Sequence, residues 1–241
     1  MTTLFEHPGR CPICRAEVTF TSRYKWYRDH LRCPRCGSVP RERALMYVIQ
    51  TFYPHWRELR IHEMAPIGRG ASVKLREAAG YEASQYFPSL PPGERTPPGW
   101  INQDAENLTY ADDSFDLVVT QDVFEHIFDI DRAFCEIRRT LRPGGAHVFT
   151  TPLVRKARPT ERRASRAADG SIRHHAEPEY HGNPVDPDGS LVTWHFGFDL
   201  AARITERAGM PTVIFSYDRL DLGIRAEYIE VLMSLKPHDR D

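Results

Sequence analysis

The chain has 241 residues, 41% of them hydrophobic and 27% charged, with a formal net charge of -1. That length and composition provide for one moderate domain plus a small appendage and exclude wholesale disorder, and the near-neutral charge gives no global attraction to nucleic acid or anionic lipid. No apolar run approaches the roughly 20 residues that span a bilayer, and the opening MTTLFEHPGR carries no apolar signal region, so no membrane partner is expected and the expected place is the cytoplasm. In chain order, residues 1 to about 38 hold two cysteine pairs among short polar and aromatic runs. Leu45, Val48, Ile49 and Phe52 then repeat at helical spacing behind Pro40, which suits a first turn. Leu59–Met64 reads as a short strand; Val73, Leu75, Ala78 and Ala79 mark a helix ended by Gly80, and Tyr81–Phe87 a second strand. Residues 88–99 hold five prolines and read as a loop. The nearly continuous apolar run from Phe115 to Thr120 suits a central parallel strand covered on both faces. Ile130, Ala133, Phe134, Ile137 and Leu141 form a helix stopped by Pro143-Gly144-Gly145, and Ala146–Thr150 is the next strand. After a long irregular segment, 152–196, Asp199 is placed to cap a helix through Leu200, Ile204 and Ala208, and strands at Thr212–Tyr217 and Ala226–Leu235 close the chain. Alternating strands and helices imply an α/β fold, Rossmann-like and doubly wound, with a mostly parallel sheet. The last two strands, lacking a helix between them, predict an antiparallel edge.

Cys11-Pro-Ile-Cys14 and Cys33-Pro-Arg-Cys36 are two Cys-x-x-Cys knuckles separated by 18 residues, while the fifth cysteine, Cys135, lies far away. The spacing matches a four-cysteine zinc ribbon over residues 1–38, with Cys11, Cys14, Cys33 and Cys36 as ligands of a structural Zn²⁺. A redox dithiol needs one knuckle rather than two, and a disulfide framework does not fit a chain without an export signal. Residues 1–43 carry nine Arg or Lys against four acids, with Tyr24, Trp26 and Tyr27 interleaved. Such a face suits a solvated ribbon packing its aromatics on the domain at 39–241, with RNA docking as the alternative.

The stretch Asn102-Gln-Asp104-Ala105-Glu106-Asn-Leu108-Thr-Tyr110, continuing through Asp113-Ser-Phe115-Asp116-Leu117 to Gln121-Asp122 and Glu125-His126, resembles the class I S-adenosylmethionine-dependent methyltransferases. Leu141-Arg142-Pro143-Gly144-Gly145 is similar to that family's L-x-P-G-G, and Tyr110 stands where its pattern usually has Phe. The resemblance covers residues 59–151 well and 197–236 weakly. Together with the knuckles it points to a zinc-headed, type 11-like subgroup and implies a seven-stranded sheet. It implies S-adenosylmethionine as cofactor, with Asp104 accepting from the adenine amino group, the Ala105 amide near the ring, and Gln121 and Asp122 bordering the methionine end. Glu63 stands where the family's acid belongs; Ala65 replaces the first glycine of the usual loop, and Gly68 and Gly70 come late. Gln85 replaces the acid that usually holds the ribose, and can bond the same hydroxyls without the charge. These departures leave open a binding module without turnover.

Segment 152–196 is too long for a plain connector and is taken as a substrate or lid insertion. Its first half is basic, a grip for an anionic substrate or simply a solvated loop; its second half is rich in His and aromatics. Methyl transfer to a hydroxyl benefits from a base with a pKa near neutrality. His181, His195 and His126 are the candidates, with Asp122 as orienter or carboxylate base. The expected reaction is methylation of a small-molecule or glycan-type acceptor, at oxygen; RNA methylation, with the basic ribbon docking the nucleic acid, is the alternative.

Overall fold

In the computed structural model, which describes residues 3–97, 99–183 and 186–238, seven strands hydrogen-bond into one sheet. The chain enters through a ribbon, β1 (Phe5–Arg10) antiparallel to β2 (Glu17–Ser22), then a single helical turn, α1 (Tyr27–His30), and the long helix α2 (Pro40–Phe52). The sheet begins with β3 (Arg60–Met64), followed by α3 (Gly70–Leu75), β4 (Gly80–Gln85), β5 (Ile101–Asn102), β6 (Phe115–Gln121), α4 (Ile130–Thr140) and β7 (Leu141–Thr150). It ends with α5 (Leu200–Ala208), β14 (Thr212–Phe215) and β15 (Val231–Leu235), the labels between being taken by short strands of the insertion described below. The order is β14-β15-β7-β6-β3-β4-β5. β3, β4, β5, β6 and β7 pair in parallel; β15 runs antiparallel to both β7 and β14, so the reversed strand sits one place in from the edge.

The apolar run Leu117–Val119 of β6 is explained by what covers it. Leu117 and Val119 belong to the core shared with α2, α3 and the ribbon, whereas Val118 belongs to the opposite core with α4 and α5. Phe20, Leu31, Cys11 and Cys33 of the ribbon are buried in the same cluster as Leu45 and Ile49 of α2, so the ribbon shares its core with the sheet. Gly223, at φ +67°, lies where a Cβ would come within 2.7 Å of the Phe20 ring, so only glycine lets the loop before β15 close over the ribbon.

Helix α4 ends at Thr140, and Leu141 already pairs with Phe115. Pro143-Gly144-Gly145 fall in an irregular stretch of β7 before the register resumes at Ala146 opposite Leu117. The two-residue strand β5 lies outside the expected elements. It is organised by buried Asn102, whose amide donates to the carbonyls of Phe87, Leu90 and Pro91 and so ties down the proline-rich loop. Asp199 precedes α5 as foreseen but makes no side-chain cap; its carboxylate accepts from the Thr160 amide and hydroxyl instead. The final strand begins at Val231, five residues later than its apolar alternation suggests.

The insertion folds as short antiparallel pairs: β8 (Glu161–Arg162) with β13 (Trp194–His195), β9 (Ala164–Arg166) with β10 (Ile172–His174), and β11 (Tyr180–Asn183) with β12 (Asp186–Leu191). Several of its arginines serve the insertion itself. Arg155 pairs with Glu161, Arg163 donates to the Glu177 carbonyl, and Arg162 and Arg166 lie over the rings of Trp194 and Phe128. No helix among the described residues is long and apolar enough to cross a membrane.

Candidate active site

The carboxyl ends of β3, β4, β6 and β7 open into a cavity of about 910 Å³, roofed by the insertion and walled on one side by the ribbon. Ligand pockets span roughly 300–1,000 Å³, so this one has room for a nucleotide-sized molecule and a second small one. An open α/β sheet binds ligands at this rim because strand order reverses there and the loops diverge; here β3 is flanked by β6 and β4.

Of the residues expected to hold a cofactor, Ala65, Gln85, Asp104, Ala105 and Gln121 line the cavity; Glu63 and Gly68 do not. Glu63 is fully buried behind the wall. Its Oε1 accepts from Ser72 Oγ at 2.6 Å and Gln121 Nε2 at 3.1 Å, and its Oε2 from Tyr81 Oη at 2.7 Å. Burial raises its pKa, and the three donors oppose that. Glu63 therefore reaches the cavity only through Gln121, whose amide it orients. The Gln121 Oε1 is buried and has no hydrogen-bond partner among the described residues. The Gln85 side chain makes no hydrogen bond among them either, and Asp104 uses only Oδ1, accepting from the Glu106 amide at 2.9 Å.

The altered glycine loop has a local explanation. Ala65 takes φ +53°, the left-handed region that glycine enters at no steric cost, while its amide donates to the Ser84 carbonyl at 2.8 Å. Gly70 serves packing: at φ +54°, a Cβ there would lie 2.0 Å from the Glu42 carboxylate, which itself bonds the Val39 amide and pairs with Arg69 at 3.0 Å.

Asp122, expected as orienter or base, is committed elsewhere. It sits at φ +53° just past β6, and its Oδ2 lies 2.7 Å from Arg28 Nη2 and 2.9 Å from Arg41 Nε. Thr150 Oγ1 donates to its Oδ1 at 3.2 Å. Burial pushes its pKa up, but the two guanidiniums outweigh burial and hold it below the usual carboxylate range, so it stays ionised. Both arginines line the cavity, together with Trp26 and Asp29 of the same segment and Tyr228. None of these five was among the expected site residues, because the partner that turns Arg28 inward lies 94 positions along the chain. The same pairing removes Arg28 and Arg41 from the basic face proposed for nucleic acid. Arg43 is also withdrawn, fully buried and donating to the carbonyls of Ser38, Leu31 and Gly223.

At the other end, the three expected histidines meet. His126 Nδ1 donates to the Leu191 carbonyl at 2.9 Å, and its ring is edge-on to His181 with centroids 5.2 Å apart. Glu179 bridges the other two, with Oε1 at 3.3 Å from His181 Nε2 and Oε2 at 2.8 Å from His195 Nε2. Burial lowers the His126 pKa. Glu125 completes the cluster; burial and then the Asp122 charge raise it to about 7. Glu125 and Glu179 were within reach of sequence reasoning, one beside His126 and the other two positions before His181.

Behind the arginine wall, the four cysteine thiols converge within 4.8 Å of one another. Cys11 Sγ is 3.7 Å from Cys36 Sγ and Cys14 Sγ 3.8 Å from Cys33 Sγ, far beyond a disulfide bond. Four sulfurs at about 2.3 Å from a central ion stand roughly 3.8 Å apart, so the donor set fits tetrahedral zinc. Such a centre has two charges more negative than positive, and Arg43 answers them through Ser38, whose hydroxyl lies 3.2 Å from both Arg43 Nη1 and Cys36 Sγ. Burial lowers the Arg43 pKa to about 10, with the Cys11 and Cys33 thiolates opposing.

Residues 73–149 match a family model described as a methyltransferase domain. Over 49 residues the chain is 44% identical to the glycine/sarcosine/dimethylglycine N-methyltransferase of Actinopolyspora halophila, covering 20% of this chain and 9% of that protein. Over 48 residues it is 46% identical to the sarcosine/dimethylglycine N-methyltransferase of Halorhodospira halochloris, covering 20% and 17%. The chain thus spans less than a fifth of the length of these relatives. An S-adenosylmethionine dependent methyltransferase from Mesorhizobium loti superposes with a TM-score of 0.51 at 15% identity, covering 80% of this chain and 97% of that one. The 1,6-didemethyltoxoflavin-N1-methyltransferase of Burkholderia thailandensis superposes at 0.50 with 16% identity, covering 82% and 78%. The chain therefore has the fold of S-adenosylmethionine-dependent methyltransferases, and its residues 73–149 resemble a methyltransferase domain.

Proposed function

We propose that the chain transfers a methyl group from S-adenosylmethionine to a hydroxyl oxygen of a small-molecule acceptor, and that the cysteine cluster holds a structural Zn²⁺ that fixes one wall of the site. The observation that carries this reading is one continuous cavity lined at one end by Gln85, Asp104 and Gln121 and at the other by His126, His181 and His195. The first end offers hydrogen-bonding capacity that the protein itself leaves unused: the Gln85 amide for ribose hydroxyls, Asp104 Oδ2 for the adenine amino group, and Gln121 Oε1 for the amino acid ammonium. S-adenosylmethionine, when bound, supplies a methyl group on a sulfonium.

The residues at the second end then have two tasks, alignment and proton removal. Phe128, Tyr180 and Trp194 give it apolar walls that fit an acceptor with a flat or apolar body. As the new carbon–oxygen bond forms and the carbon–sulfur bond breaks, with its electron pair passing to sulfur, the hydroxyl proton passes to His195, braced by Glu179. Oxygen is preferred over nitrogen because the site brings together three histidines and two carboxylates, bases that an alcohol requires. The N-methyltransferase relatives align over only a fifth of the chain, too little to carry over their acceptors. A nucleic-acid acceptor loses its main support once Arg28, Arg41 and Arg43 point inward.

Calorimetry with S-adenosylmethionine and S-adenosylhomocysteine tests the reading. Both are expected to bind one per chain, and Asp104→Ala is expected to weaken both at least tenfold while leaving the melting temperature of the unliganded protein within a degree or two. Absence of heat, with no thermal shift on either ligand, defeats the proposal.

A further inference from the structure

Glu125 sits in the short 3-10 turn after β6 and is 2% exposed. Thr151 Oγ1 donates to its Oε2 at 2.9 Å, but its Oε1 is buried with no hydrogen-bond partner among the described residues. A buried carboxylate oxygen without a donor is costly unless a cation answers it. The nearest candidate ligand is His126 Nε2, 4.0 Å from that oxygen. Because His126 Nδ1 donates its proton to the Leu191 carbonyl, the lone pair of the neutral ring lies on Nε2, the atom on the Glu125 side. A carbonyl behind an imidazole is the support that metal-bound histidines use to fix their tautomer. His181 faces the pair from the β11–β12 hairpin, with the Glu179 carboxylate behind it. One ligating atom from each of Glu125, His126 and His181 lies within 4.8 Å of the other two. Ligands at 2.0–2.2 Å from an ion stand roughly 3 to 4 Å apart, so small side-chain adjustments complete the geometry.

We propose that Glu125, His126 and His181 form a second metal site, separate from the four-cysteine cluster, that takes a divalent transition-metal ion and leaves positions open toward the cavity. Two imidazoles and one carboxylate suit Zn²⁺, Mn²⁺ or Fe²⁺, and three protein ligands leave room for an acceptor oxygen, unlike the closed four-thiolate set. What the ion does there rests on the methyl-transfer reading: a hydroxyl bound to it loses its proton more readily, the proton passing to His195 as before. Whether the ion binds does not rest on that reading.

The test is a titration of the full chain, carrying one zinc per molecule, with Co²⁺. A second equivalent is expected to bind with visible d–d absorption and without the thiolate-to-metal charge-transfer band of a cysteine site, giving two metals per chain by elemental analysis. His181→Ala, on a partly exposed hairpin, and His126→Ala are each expected to weaken the second equivalent at least tenfold and to leave the first in place. Saturation of the wild type at one ion per chain overturns the proposal; so does retention of the second ion by the His181→Ala variant with unchanged affinity. Calorimetry with S-adenosylmethionine on the same samples keeps the two readings apart. Cofactor heat without a second ion defeats the metal site alone, and a second ion without cofactor heat supports the site and defeats the methyltransferase reading.

Discussion

Two segments cover the cavity, and they are attached in opposite ways. The ribbon is bound through buried polar groups: its Leu31 and Ser38 carbonyls accept from Arg43 of α2, its Asp29 pairs with Arg41 of α2, and its Arg28 pairs with Asp122. The hairpin β11–β12 of the insertion is largely exposed along its length, Tyr180 being 58% exposed, and the insertion is anchored mainly at its far end, where Thr193 and Trp194 bond the backbone after β6. The difference teaches where rigidity and choice reside. The ribbon is a fixed wall whose cavity-facing Arg28 is already paired with Asp122, while the hairpin is a cover that presents His181 and Tyr180 and whose side chains can change without disturbing the core.

The sharpest way to break this contrast is to remove the zinc proposed for the ribbon. Zinc bound to four thiolates contributes on the order of 10 kcal/mol to folding a small module, and this module shares its core with α2 and β6. Chelation of the purified protein, or Cys33→Ser, is expected to lower the melting temperature by 10 degrees or more and to abolish cofactor binding. A chelated chain that melts as before would show that the ribbon is an ornament on an independent domain.

Arg43→Leu ranks next. It leaves the carbonyls of Leu31, Ser38 and Gly223 without their donor and the cluster without its counter-charge. Breaking such a buried arrangement costs about 3–5 kcal/mol, read as a shift of the denaturation midpoint with zinc bound. Asp122→Asn follows, since it removes the anion shared by two guanidiniums that line the site, leaving Arg41 with Asp29 and Arg28 with the Tyr228 carbonyl. About 2–3 kcal/mol of stability is expected to go, and cofactor affinity with it, whereas a carboxylate acting only as a catalytic base would leave both unchanged.

A pH effect belongs to the sheet that both covers share. His62 and His147 are fully buried; Ser84 and Thr120 bond their Nε2 atoms, and burial holds His62 down to about 3 and His147 well below its ordinary value. Both stay neutral in the folded chain while the unfolded chain takes up protons below about 6.5. Their contribution is therefore fully present above that pH and is lost as pH falls toward the folded value. At pH 5 the loss is about 2 kcal/mol for His62. His62→Leu is expected to melt with a shallower acid slope than the wild type between pH 7 and 5; parallel slopes would refute the assignment.

Sequence patterning alone located most strands of the sheet because their apolar runs are dictated by burial on two faces, and it located the cysteine cluster because its ligands come in local pairs. The shape of the cavity was much less legible. Asp122 was readable as a site residue, but not its commitment to Arg28 and Arg41, which depends on the ribbon folding back across the sheet. Glu63 was readable as the acid at a strand end, but not its enclosure by Ser72, Tyr81 and Gln121. The short pairs of the insertion left little trace because strands of two to six residues with mixed exposure have no period to detect.

The smallest stability effect is expected at the hairpin, and it sharpens the comparison most. Tyr180→Ala removes an exposed ring that lines the cavity, so its cost to folding is within about 0.5 kcal/mol. Binding of S-adenosylmethionine, held at the opposite end, is expected to be unchanged within twofold. Only the acceptor should notice: KM rises several-fold with little change in kcat, since the ring offers apolar contact in ground and transition states alike. A fall in kcat with KM unchanged would instead place Tyr180 at the reacting centre, and the hairpin would then belong to the catalytic apparatus as firmly as the ribbon belongs to the fold.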